Sequence, residues 1–142
     1  MANHKIKIEV DQTVPKLVYR HLRNNADQGL KVSIPVISRD KIKWSSSEGP
    51  FAVLFKQGKA PSQSVALAAA KNHSTSEEDV KSLGGIGRTE ADPFAVALYW
   101  ESGNRLLTDD PDIIITDAGG GDTKPAKPKA KAKAKKPARK KR

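Results

Sequence analysis

The chain has 142 residues, with 26 Lys and Arg against 16 Asp and Glu for a net charge of +10, and 37% of its residues are hydrophobic. That length suits one domain able to bury roughly two-thirds of its unfolded surface. Without cysteine there are no disulfides, thiolate metal sites or cysteine nucleophiles, and no apolar run approaches the roughly 18 residues that a membrane-spanning helix needs.

The N-terminus passes directly into charged alternation, with no apolar leader segment, so a cytoplasmic location is expected. Over residues 4–10, Ile6, Ile8 and Val10 alternate with Lys5, Lys7 and Glu9, the period of a strand with one face buried. Leu17, Tyr19 and His21 continue a weaker alternation that reads as a second strand, although the stretch also suits a short helix. Residues 24–29 form a loop by composition, and residues 30–36 come next as a β-branched run broken by Pro35, which suits an edge or strand end. Strands are expected over residues 41–44 and 50–55, joined as neighbours by the polar turn 45–49, with Phe51, Val53 and Phe55 pointing one way.

Between residues 56 and 92 the strand period fades into Ala-, Ser- and Gly-rich sequence, read as a long crossover carrying one or two short helices. Residues 64–71 are strong helix formers, and Ser76 to Asp79 looks like a capping signature, with Gly84 as a stop. The body closes with an aromatic strand over 93–100, a Ser-Gly-Asn turn within 101–104, residues 105–107, and a last strand over 112–116. About seven or eight short strands with one long connection predict an all-β, two-sheet sandwich of Greek-key type, cupredoxin-like or Ig-like, over residues 1–117. A Gly-rich linker over 118–123 uncouples residues 124–142 from this body.

Asp40-x-Ile42-x-Trp44, Phe51-x-Val53-x-Phe55, the late strand ending Tyr99-Trp100 and the final Asp110 to Thr116 resemble copper-free members of the cupredoxin-like β-sandwich group. The resemblance implies a Greek-key sandwich and no particular chemistry. Copper itself fails on ligands, because a thiolate is missing and the only methionine is Met1. His4, His21 and His73 lie far apart in sequence and show no metal-ligand spacing, so no metal and no cofactor are expected.

Gly84-Gly85-Ile86-Gly87-Arg88-Thr89 has the look of a phosphate loop, yet it lacks the Lys-Ser/Thr ending of a P-loop and the third Gly of a dinucleotide fingerprint. A flexible stop is the stronger reading. The carboxylates Asp109, Asp110 and Asp112 are read as a solvated turn around Pro111. No nucleophile elbow or Ser, His and acid grouping stands out, which disfavours an enzyme. Trp44, Trp100 and Tyr99 beside Lys41, Lys43 and Lys56 suit base stacking on a sheet, but aromatics form only 5% of the chain and its core needs them first.

Charge is sharply segregated. Residues 1–120 hold 15 basic and 15 acidic groups, whereas residues 124–142 hold 11 basic groups and no acid. The cationic set is Lys124, Lys127, Lys129, Lys131, Lys133, Lys135, Lys136, Arg139, Lys140, Lys141 and Arg142, interleaved only with Ala and Pro. Such a segment has nothing to bury, repels itself, and carries prolines that obstruct a helix, so an extended disordered arm is expected. Its composition is similar to the C-terminal tails of linker histones and to histone-like tails of bacterial nucleoid proteins, which implies sequence-independent phosphate binding. Nucleic acid, DNA ahead of RNA, is the expected partner, with a protein partner or a second copy for the sandwich. Polyphosphate, anionic lipid, an acidic protein, or a plain solubility or targeting role are the alternatives.

Overall fold

The computed structural model describes residues 1–117. Eleven strands run in chain order: β1 Asn3–Asp11, β2 Lys16–Arg23, β3 Ala26–Lys31, β4 Ser33–Ile37, β5 Lys41–Ser45, β6 Phe51–Phe55, β7 Ala66–Ala69, β8 Glu78–Asp79, β9 Thr89–Trp100, β10 Arg105–Asp109 and β11 Asp112–Thr116. They form two mixed sheets. The first has the order β3-β2-β1-β5-β8, the second β4-β11-β9-β6-β7 with β10 added beside β9. In each sheet one pair is parallel, β1 with β5 and β4 with β11.

Both sheets bury one face in a common core. Along β1 every second residue is buried, so Ile6, Ile8 and Val10 point inward as their alternation requires. Phe51, Val53 and Phe55 do the same on β6. Rings bridge the layers: Phe94 of the second sheet meets Trp44 and Tyr19 of the first edge-on, with centroids 5.0 and 6.1 Å apart. The result is an all-β, sandwich-like body.

The long hairpin is the spine of the second sheet. β9 pairs with β10 from Trp100↔Arg105 and with β11 from Pro93↔Asp112, all in one register. β10 and β11 are therefore one return strand, interrupted where Pro111 cannot donate to the ladder. The Pro111 carbonyl still accepts from Phe94 N at 3.0 Å.

Several expectations need correction. No helix occurs among the described residues. Residues 64–71 have helix propensity, but Ala66–Ala69 instead pairs with Phe51–Leu54 and turns Leu67 and Ala69 onto the core. A strand partner for β6 outweighs the few tenths of a kcal/mol per residue that propensity supplies. At Ser76 to Asp79 the supposed cap is β8, and Glu78 accepts from Ser62 Oγ at 2.6 Å and Ser64 N at 3.2 Å rather than capping a helix. The loop over 24–29 shrinks to Asn24-Asn25, both at positive φ (51° and 68°), the pair that a tight hairpin turn favours. β5 and β6 are not neighbours either, since the turn between them crosses from one sheet to the other.

Candidate functional site

All eleven cations of the arm, Lys124 to Arg142, and the linker over 118–123 lie outside the described residues. What the structure does define is where the body hands the chain on. Asp117 comes directly after β11 and is clasped by the glycine loop: its carboxylate Oδ2 accepts from Leu83 N at 3.1 Å, Gly85 N and Ser82 Oγ at 3.3 Å. Its carbonyl accepts from Gly87 N at 2.8 Å, and its own N–H donates to the Arg88 carbonyl at 2.9 Å. Gly84 and Gly87 sit at φ +83° and +82°, where glycine carries no Cβ penalty. The loop that looked like a phosphate cradle therefore spends its backbone donors internally: Gly85 N on the Asp117 carboxylate, Gly87 N on the Asp117 carbonyl, Gly84 N on Ser82 Oγ and Arg88 N on the Gly85 carbonyl.

Beside this clasp opens a cleft of about 370 Å³ lined by Lys81, Ser82, Leu83, Arg88, Thr89 and Glu90. Alternation along β9 turns Glu90 and Asp92 to the same face as Phe94, inward. Lys81 Nζ reaches both carboxylates, pairing with Glu90 and lying 3.1 Å from Asp92 Oδ2, while Lys59 stands 3.9 Å from Glu90. Asp92 is fully buried and neither oxygen has a well-aligned hydrogen bond. Burial, and then the adjoining Glu90, raise its carboxyl to about 6. Glu90 takes the opposite share, lowered to about 2 by the adjoining Asp92 carboxyl and by its pairing with Lys81. For Lys81, burial works against the charge, but the two carboxylates outweigh it and hold the ammonium above its ordinary value.

A second polar group sits at the other sheet. His4 Nε2 lies 2.6 Å from Asp40 Oδ2, and His4 Nδ1 lies 2.7 Å from His21 Nε2, with the rings stacked. Ala2 N donates to the remaining Asp40 oxygen at 3.0 Å. All three side chains are buried, and His21 Nδ1 has no partner. The chain of protons that satisfies this geometry runs His21 Nε2–H to His4 Nδ1, then His4 Nε2–H to the carboxylate, leaving His21 Nδ1 as a bare lone pair. Burial first, then repulsion from His4 when that ring is protonated on both nitrogens, and from Lys31 and Arg23, depress His21 to about 4. Asp40 is lowered despite its burial, because His4 and the amides of Ala2 and Ile37 hydrogen-bond its charged form.

This corrects the reading of the histidines as unrelated. His4 and His21 are partners, and only His73 stays apart, exposed on a loop. Parity could have revealed it: His4 shares the inward phase of Ile6 and Ile8, and His21 that of Leu17 and Tyr19. The supposed Asp turn also divides. Asp109 accepts from Tyr19 Oη at 3.0 Å and Asp112 from Ser33 Oγ at 2.6 Å. Trp44 and Trp100 are core residues, 1% and 8% exposed, which leaves Tyr99 as the exposed ring of the three considered for stacking.

Among the described residues no three His, Asp or Glu side chains are arranged to hold a metal ion, and no helix is long and apolar enough to cross a membrane. No protein-family model matches the sequence, and no curated protein is detectably similar to it.

Proposed function

We propose that this is a non-enzymatic, nucleic-acid-associated protein in which Lys124 to Arg142 bind phosphates without regard to sequence and the body serves as an interaction and assembly module. The observation that carries this reading is the segregation of charge, 15 basic and 15 acidic groups in residues 1–120 against 11 basic groups and no acid in residues 124–142. A duplex with one negative charge per about 1.7 Å releases condensed counterions when such a segment neutralises it, and that release supplies affinity without base contacts. The exposed grouping of Tyr99 with small side chains offers no row of aromatic rings for base readout. We take the body, with its two mixed sheets around one core, to be a Greek-key sandwich of the copper-free cupredoxin-like kind, a reading that rests on the sequence resemblance. The cellular place that fits is the cytoplasm, at the nucleoid in a bacterium or the nucleus in a eukaryote, with DNA preferred to RNA.

Duplex binding by the full chain and by a chain ending at Asp122 tests this. Log affinity of the full chain should fall linearly with log salt, with a slope between about −4 and −8, below the limit near −10 for eleven engaged charges. The shortened chain should lose the binding. Equal affinity of the two chains, or binding indifferent to salt, overturns the proposal.

One observation favours a second reading. The cleft beside Lys81, Glu90 and Arg88 would suit a small polar ligand, with the basic arm serving polyphosphate, anionic lipid or an acidic protein, or solubility alone. Tighter binding of polyphosphate, anionic vesicles or an acidic protein than of duplex by the full chain would favour this reading, and tightest binding to duplex, lost with the arm, would count against it.

A further inference from the structure

The two sheets differ on their outer faces. Outward positions of the first sheet carry charge, including Lys5, Lys7 and Glu9 on β1, Arg20 on β2, and Lys41 and Lys43 on β5. Outward positions of the second sheet carry no Lys or Arg and one acid, Asp112, which is engaged by Ser33 Oγ. Register assembles small side chains into a continuous row across four strands, Ala68 beside Ala52, Ala52 beside Ala97, and Ala97 beside Thr108. Flanking this row, Leu54, Tyr99 and Leu106 are 50%, 39% and 63% exposed. At its margin Lys71 and Glu101 form an ion pair at 3.1 Å. An apolar centre with a polar rim is the anatomy of a protein interface rather than of a solvated sheet.

We infer that this face is a homodimer interface, which a second copy of the chain covers with the same face. The inference deepens the assembly role proposed for the body and rests on it. Charge selects the occupant. The cationic arm finds a single, already engaged acid there, and a polyanion finds no cation, but an identical neutral face meets no repulsion. Area is sufficient. With strands about 4.8 Å apart and a rise of about 3.3 Å per residue, the second sheet presents on the order of 600 Å² per copy, so a face-to-face pair buries roughly 1,200 Å² in total, at the lower edge of stable interfaces. Alanine and proline side chains lose almost no rotamer entropy on docking, and their small size lets the two sheets approach closely. A two-fold axis through the Ala52–Ala97 row would set each exposed leucine against the partner's alanines and close the assembly at two.

Sedimentation of the full chain, from micromolar to millimolar concentration and in high salt to exclude nucleic-acid bridging, tests the inference. The expected result is a reversible dimer of the 15.4 kDa chain. Ala97→Arg at the centre of the row, and separately Leu54→Lys, should each weaken dimerisation by about thirtyfold or more without changing the far-UV circular dichroism, while Lys43→Ala on the opposite sheet leaves it intact. A monomer throughout the range, or a dimer indifferent to both face variants, overturns it. Because high salt removes phosphate binding from this measurement, failure here leaves the duplex-binding result standing, and failure of duplex binding leaves the dimer standing.

Discussion

Replacing His21 by Gln should change how the protein's stability responds to acid, by an amount set by the buried proton chain. In the folded protein His21 is 2% exposed and its Nδ1 faces no acceptor, so protonation would bury an unsatisfied N–H. Its pKa is accordingly lowered from 6.5 to about 4. The unfolded chain therefore binds a proton between those values that the folded chain refuses. Stability from this group is complete above about pH 6.5 and is lost as pH falls toward 4, by roughly 3 kcal/mol in all and about 2.5 kcal/mol by pH 4.5. Asp92 acts in the opposite sense. Its folded value, raised to about 6, contributes stability at low pH that disappears as pH rises through 6. Asp40 and Glu90, both lowered, add terms of the same sense as His21, so the raw profile mixes opposed terms and the variant isolates one. Urea unfolding of wild type and His21→Gln at about pH 7.5 and about pH 4.5 should show wild type losing about 2.5 kcal/mol more than the variant. Parallel profiles, or an imidazole resonance of His21 titrating near 6.5, would refute the buried-chain reasoning.

Lys81→Met leaves Glu90 and Asp92 facing each other without their cation, and unfolding at neutral pH should show a loss of about 2–4 kcal/mol. The loss should shrink as pH falls toward about 6, because without the cation that lowers it Asp92 takes up its proton at higher pH in the variant than in wild type; a penalty that does not vary with pH would mean that packing, not charge, holds Lys81. Gly49→Ala should cost about 2–3 kcal/mol in urea or thermal unfolding, because the new Cβ would stand 1.8 Å from the Tyr99 carbonyl oxygen, a backbone atom fixed in the sheet. Gly58→Ala is its control: nothing lies within 4 Å, and φ +82° alone should cost about 1 kcal/mol.

Alternation was the legible part of this sequence. Strands whose inner positions are large and whose outer positions are charged, such as β1, or aromatic against small, such as β6 and β9, announce both their existence and their facing. Where Leu67 is the one large side chain among alanines, as in Ala66–Ala69, nothing separates strand from helix until β6 supplies a partner. The polar groups were hidden for a related reason. His4, Asp92 and Asp117 each extend the inward phase of an apolar run by one step, past Ile6, Phe94 and Ile115, and so lie at the ends of the sandwich where the core gives way to polar pairs. Their partners come from distant sequence, 36 residues away for Asp40 with His4 and 34 for Leu83 with Asp117. No local pattern records such a meeting.

The position of Asp117 also determines how the body bears tension. β11 is an interior strand, hydrogen-bonded to β4 in parallel and to β9 in antiparallel fashion. If the arm is held on a long polymer, a pull on it enters at Asp117 and runs along the axis of β11. The loop 82–88 takes the load first through five hydrogen bonds, and the two ladders then resist together in shear, where a strand pulled from an edge would unzip one bond at a time. Forced opening is a matter of unfolding rate rather than of equilibrium stability. Under such a pull the last described residue, Asp117, would meet a mechanically braced end of the fold rather than a free edge.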